Sequence, residues 1–130
     1  VTPREHFPLG LRYRQQTVAE RQVWLGNAAQ TLHPVAGQGF NLALRDVWEL
    51  ARTLHHAPDL GCAQLLATYA RYRQLDRCGA IGFTHALIRI FASTSPPVRH
   101  ARGIGLLALD LFPSLKNFVA RRMIFGARAW

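Results

Sequence analysis

The chain has 130 residues, 49% hydrophobic and 18% charged, the size and composition of one globular domain, which excludes a disordered segment or a low-complexity array. Its formal charge of +9 admits anionic partners, but the cations are spread from Arg4 to Arg128, Lys116 is the one lysine, and no dense basic block or nucleic-acid motif forms, so nucleic acid is set aside as a partner. Cys62 and Cys78 are too few for a disulfide framework and fit a reducing, cytoplasmic compartment, while the adjacent His55 and His56 project in different directions and make no metal set.

Taken in chain order, Leu9, Leu11 and Tyr13 alternate with Gly10, Arg12 and Arg14, the period of a strand with one covered face running from Leu9 to Thr17. Val23-Trp24-Leu25 is a short continuous apolar run, expected as a strand buried on both faces. A loop rich in glycine follows, with Gly26, Pro34, Gly37 and Gly39. From about Gly39 the spacing of Leu42, Ala43, Val47, Leu50, Ala51 and Leu54 predicts one buried face of a helix, with Arg45, Glu49 and Arg52 off it. Pro58 and Asp59 suggest a turn and an N-cap before a long helix from Cys62 to Ala92, whose apolar side is supplied by Leu65, Tyr69, Tyr72, Phe83, Leu87 and Ile90. The Ser93–Pro97 break separates it from a helix over Val98–Leu111, and Pro113-Ser114 restarts a last one over Leu115–Phe125 with Gly126 as terminator.

The fold class is therefore α+β and mainly α-helical: two N-terminal strands that belong to a larger α/β sheet, then a helical tail. Buried strands need neighbours for their backbone groups, and two strands do not make a sheet. Together with the opening VTPREHF, which lacks a Met and a signal-like segment, this predicts a piece of a longer protein. The expected divisions are 1–20, a remnant strand of a second sheet; 21–56, strand, glycine loop and helix; and 57–130, the helical region.

Strand, glycine loop and helix in succession place a ligand crevice at the end of the strand. The start of the Gly39 helix offers unpaired N–H groups and a positive dipole end to a phosphate, carboxylate or other electron-rich oxygen. The loop is neither a Walker A motif nor a full dinucleotide fingerprint. Read singly, Asn27 serves equally as a turn cap, Pro34 as a rigid corner, Asn41 as a locally bonded first-turn residue, and Asp46 as a surface partner of Arg45 or Arg52.

The whole string GNAAQTLHPVAGQGFNLALRDVWEL resembles the second flavin-binding motif of the FAD-dependent aromatic-ring monooxygenases, G-D-A-A-H, a Pro, then G-Q-G-x-N and an Asp further into the helix. Asn27 in place of Asp, Gln30 in place of His, and TLHPVAGQGFNL make it similar to the ubiquinone-biosynthesis hydroxylases of that class, most like the 2-octaprenyl-6-methoxyphenol hydroxylase type of bacteria. His6-Phe7-Pro8-Leu9 resembles the F-P-L strand that precedes the motif. The resemblance is specific over Phe7–Leu54 and looser through the tail, and it covers the C-terminal part of such an enzyme; the GxGxxG fold that grips the ADP half of FAD is not in this sequence.

The resemblance implies hydroxylation of the phenolic ring of a polyprenylated ubiquinone precursor with FAD, NAD(P)H and O2. It places Gly26 and Asn27 near the ribityl and pyrophosphate portion of FAD and Pro34 on the ring and substrate side. Gly37, Gln38 and Gly39 let backbone approach the isoalloxazine, and the N–H groups of Phe40 and Asn41 face its pyrimidine oxygen. No catalytic side chain is assigned, and little activity or FAD binding is expected of the piece alone. Leu106, Leu109, Phe112, Leu115, Phe118, Val119, Met123 and Phe125 alternate with Arg102, Lys116, Arg121 and Arg122. This basic amphipathic surface suits packing on the N-terminal part of the same enzyme, self-association, sister biosynthetic proteins, or peripheral attachment to the inner membrane.

Overall fold

Prolines and glycines divide this chain, and the helices fall between them. The computed structural model describes residues 4–6 and 9–126, so Phe7-Pro8 of the expected F-P-L strand lies outside the described residues. Helix α1 spans Gln38–Leu54, α2 Ala63–Ala92, α3 Pro96–Leu111 and α4 Pro113–Phe125. Pro96 and Pro113 open their helices at the first position, where a missing N–H costs nothing. Gly126, at φ 81°, ends α4 as expected. Asp59 is not the cap of α2: Cys62 holds that position without a side-chain bond. The Asp59 carboxylate instead accepts from the Gly61 amide at 2.9 Å and from Arg21 at 3.0 and 3.1 Å, and so braces the turn before the helix.

The strands are much shorter than the alternation suggests. β1, Arg12–Tyr13, pairs antiparallel with β4, Gln30–Thr31. β2, Val18–Ala19, pairs with β3, Gln22–Val23, through a turn in which Arg21 adopts φ 54°. The expected Leu9–Thr17 strand is thus reduced to two residues. The expected two-sided burial of Val23-Trp24-Leu25 is corrected as well, since all three are half-buried. A ladder extends only as far as its neighbour does, and each of these strands has one short antiparallel neighbour. Trp24 is held otherwise: its amide donates to the Thr17 carbonyl at 2.9 Å and Arg14 lies over its ring at 4.6 Å.

Among the described residues the buried apolar core is small, comprising Ala29, Leu32, Leu42, Leu66 and Tyr69. α1 turns Gln38, Leu42 and Asp46 inward, while Val47, placed by its spacing on the buried face, is 50% exposed. On α2 the buried ridge is Leu66, Tyr69, Arg73, Asp76, Arg77 and Thr84; Tyr72, Phe83 and Ile90 of the expected apolar side are exposed. Of the expected apolar faces Leu42 and Tyr69 are buried, and Ala43, Leu50, Leu54, Leu65 and Leu87 are half-buried, so the helices meet along a face that mixes apolar residues with charge and is rotated from the stripe that periodicity picks out.

Candidate functional site

The glycine loop is a succession of tight turns laid over α1. After extended Leu25, Gly26 (φ 54°), Asn27 and Ala28 form one 3-10 turn, with Asn27 exposed. Arg14 Nε fixes this turn by donating to the Ala28 carbonyl at 3.1 Å. A Cβ at Gly26 would sit 3.8 Å from Ala43 Cβ, so the turn rests on α1 at ordinary contact distance. The chain then passes through β4 and buried Leu32 to a second 3-10 turn, Pro34–Ala36, whose Val35 amide donates to His33 Nδ1 at 3.3 Å.

Gly37 closes that turn and opens α1. Its amide donates to the Pro34 carbonyl at 3.0 Å, and its φ of 60° and ψ of 17° lie in the left-handed region that a side chain resists. No side chain caps α1. The first-turn amides of Gln38, Gly39 and Phe40 have no intrahelical acceptor by the geometry of a helix start. Gln38 is buried and folds back, its Nε2 donating to the Ala36 carbonyl at 3.2 Å, which leaves the helix end unshielded. Phe40 is 72% exposed and Asn41 half-buried.

Positions 37 and 39 decide what this surface is for. A Cβ added at either glycine would meet nothing within 4 Å. The backbone angle accounts for Gly37. Gly39 sits in a helix where alanine is the better residue by roughly 0.5–1 kcal/mol. It shares its open space with the helical glycines Gly79, Gly82, Gly103 and Gly105, and differs from them in standing in the first turn, beside the unpaired amides. Bare backbone, open space and a positive helix end together make a cradle, and a helix start of this kind suits an electron-rich group. Of the expected site residues, the fold brings Pro34, Gly37, Gln38, Gly39, Phe40 and Asn41 into one continuous turn and helix start, and lays Gly26 and Asn27 along the same helix.

Beneath the cradle lies a buried polar network that the spacing of residues did not reveal. Asp46, 1% exposed, accepts from Gln30 Nε2 at 2.8 Å and from Arg73 Nε at 2.7 Å. Arg73 also donates to Asp76 at 2.7 Å, and Asp76 accepts from Arg45 Nε at 2.8 Å. Arg45 reaches the end of α4, donating to the Ile124 carbonyl at 3.1 Å and the Met123 carbonyl at 3.4 Å. Arg77 donates to Gln30 Oε1 at 2.7 Å and to the Arg14 carbonyl at 3.2 Å. Burial alone lowers the Arg73 pKa, but the hydrogen bonds and charges of Asp46 and then Asp76 outweigh it and the net shift is upward. Asp46 is thus no surface partner of Arg45 or Arg52. One signal was available: Arg73, Asp76 and Arg77 stand at helical spacing in line with Leu66 and Tyr69, and a charged run on the ridge that carries the core points to buried partners.

Beside Gln38 an apolar cavity of about 290 Å³ opens between α1, α2 and α4, walled by Phe83, Phe118, Val119 and Met123 with Arg45 and Asp76 also lining it. Over 125 residues the chain is 38% identical to the ubiquinone hydroxylase UbiL of Rhodospirillum rubrum, covering 93% of this chain and 29% of that protein. It is 34% identical over 127 residues to the mitochondrial ubiquinone biosynthesis monooxygenase COQ6 of Schizosaccharomyces pombe, covering 95% of this chain and 26% of the relative. Against the ubiquinone hydroxylase UbiM of Neisseria meningitidis the identity is 28% over 127 residues, 95% of this chain and 28% of the other. The chain thus spans between a quarter and a third of the length of these relatives. The profile of the FAD binding domain matches residues 1–78, a stretch that holds both glycine turns, α1 and the Arg73–Arg77 side of the network. With more than half of its residues in that match and the cradle at its centre, the chain belongs to the FAD binding domain family.

Proposed function

We propose that this chain is the carboxyl-terminal part of a flavoprotein monooxygenase that hydroxylates the phenolic ring of a polyprenylated ubiquinone precursor, with NAD(P)H and O2 as co-substrates. The observation that carries the reading is the uncapped start of α1 behind two glycines whose missing side chains leave open space. Relatives named as ubiquinone hydroxylases supply the substrate class.

In this reading Gly37, Gln38 and Gly39 would let backbone approach the flavin ring, and the helix start at Phe40 and Asn41 would face its pyrimidine edge. Gly26 and Asn27 stand by the ribityl and pyrophosphate portion. An asparagine there both donates and accepts, where a carboxylate only accepts. Pro34, exposed and with its φ fixed by the ring, borders the substrate side. FAD, when bound, supplies the redox chemistry; the chain supplies orientation and a positive helix end toward the edge of the ring that gains charge on reduction. The buried Asp46–Arg73 network holds α1, and with it the cradle, in register with α2.

Gly39→Ala separates the reading from a purely structural role. In the 130-residue chain the substitution should leave stability unchanged or raise it by up to about 1 kcal/mol, since nothing occupies the space of the new methyl. In the longer polypeptide it should weaken FAD binding at least tenfold, about 1.4 kcal/mol, read by fluorescence titration of the apoprotein. Unaltered flavin affinity would overturn the proposed site. The 130-residue chain alone should purify colourless and leave reduced nicotinamide untouched.

A further inference from the structure

Two exposed apolar faces on this molecule differ in the company they keep. Along α1, Phe40, Leu44, Val47 and Trp48 are 50–73% exposed at helical spacing, and Arg45, Asp46 and Glu49 are turned to other sides of the helix. That stripe has the charge-poor centre of a protein–protein contact. The second face is the elbow between α3 and α4. Ile104, Leu107 and Leu111 line one side of α3 at 56–69% exposure, Phe112 at the apex is 58% exposed, and Leu115 and Phe118 continue onto α4 at 41% and 57%.

The two helices of the elbow carry an excess of positive charge, with Lys116 and Asp110 lining one cleft between them. From Ser93 to Gly126 the sequence holds Arg99, Arg102, Lys116, Arg121 and Arg122 against one acid, Asp110. Arg102 is spent on the Phe91 carbonyl and ring, but Arg99, Lys116 and Arg121 are exposed. No single helix among the described residues is long and apolar enough to cross a bilayer, and the 99° angle between α3 and α4 excludes a straight span by the pair. An apolar corner with Lys116 about one turn past its apex, and Arg99 and Arg121 further along the two helices, suits the boundary of a bilayer, where methylenes meet the acyl region and cations meet lipid phosphate.

We propose that the α3–α4 elbow is a docking surface for a bilayer that contains anionic phospholipid, with Leu107, Leu111 and Phe112 at the acyl boundary and Arg99, Lys116 and Arg121 at the phosphates. The proposal goes beyond the flavin reading and does not need it. Co-sedimentation of the 130-residue chain with phosphatidylcholine vesicles, with and without phosphatidylglycerol, tests it without reading flavin at all. Binding should require the anionic lipid and fade as salt rises. Phe112→Asp and Lys116→Glu should each reduce it at least tenfold, whereas Trp48→Asp on the α1 stripe should leave it unchanged. Lys116→Glu, at an exposed site, keeps the test decisive should Phe112→Asp fail to fold. Absence of binding, equal binding to neutral vesicles, or loss of binding in Trp48→Asp would each overturn the proposal. So would a Phe112→Asp chain that turns from self-associated to monomeric with its vesicle binding intact, for then the elbow is covered by a second copy.

Discussion

Asp46 takes the interior with a charge, and its partners explain why that is tolerated: one carboxylate oxygen is met by Gln30 and the other by Arg73. Without Asp46, Arg73 keeps Asp76 as a carboxylate partner, but Arg73 Nε and Gln30 Nε2 become buried donors without an acceptor, which costs about 1–3 kcal/mol each. Asp46→Ala should therefore lower the stability of the chain by about that amount, read from the urea midpoint, and Asp46→Asn by less because the amide still accepts from Arg73. A loss under about 1 kcal/mol in the alanine variant would show that water replaces the lost carboxylate. Tyr69, 2% exposed beside the same network, has its phenol pushed well above its ordinary value of 10.0, by burial first and by the Asp46 charge second. The raised value means that the folded chain keeps the proton which the unfolded chain gives up near pH 10. Stability from this group is whole below pH 10 and falls as pH rises beyond it, at up to about 1.4 kcal/mol per pH unit. Tyr69→Phe should flatten that alkaline limb in a pH series of denaturant midpoints; an unchanged limb would assign it to other groups.

At the scale of elements, the helices were legible because their ends are written locally. Pro96, Pro113 and Gly126 act within one turn of themselves, and all four helix starts fall within two residues of the positions read from spacing. The faces of those helices were legible only in part: Leu42 and Tyr69 are buried as their spacing predicts, but the buried face is rotated toward the charged residues. Periodicity finds an apolar stripe but does not say what covers it, and on α1 the stripe containing Val47 is exposed while the Asp46 side is buried. The pairs that decide the matter join residues 27, 31 and 47 positions apart, a relation no local spacing carries. The cradle was legible as a loop, since Gly26 and Gly37 do adopt positive φ, whereas the strands around it were overread because a strand's extent belongs to its neighbour. Gly126 shows both levels at once. Its φ of 81° and ψ of −161° terminate α4, and a methyl there would strike Asp76 and come within 2.9 Å of Arg45 Nε. Gly126→Ala should cost at least about 1–3 kcal/mol from the backbone alone and loosen α4 from α1, seen as faster amide exchange over Arg122–Phe125. Exchange unchanged there would mean that Arg45 does not hold the end of α4.

For the whole molecule the telling quantity is surface. A folded monomer of 14.6 kDa exposes about 6,900 Å² by the usual scaling with mass, and this chain exposes 9911 Å². The excess, about 3,000 Å², exceeds the roughly 800 Å² that each partner contributes to a standard interface. It is also consistent with a chain that spans between a quarter and a third of its relatives. Such area is not left wet at the concentrations of an ordinary preparation, and the face with no charge at its centre should close first. The α1 stripe of Phe40, Leu44, Val47 and Trp48 should therefore drive self-association of the 130-residue chain, seen as a sedimentation coefficient that rises with concentration. Trp48, 73% exposed, contributes little burial to the folded monomer that its replacement would forfeit. Trp48→Asp should return the chain to a monomer at unchanged helical content, because a carboxylate at the middle of an apolar contact is desolvated without a partner. In the longer polypeptide the same substitution should lower thermal stability, as the stripe is then covered within one molecule. A wild-type chain that stays monomeric at all concentrations would show that the α1 face is satisfied by water and needs no covering segment.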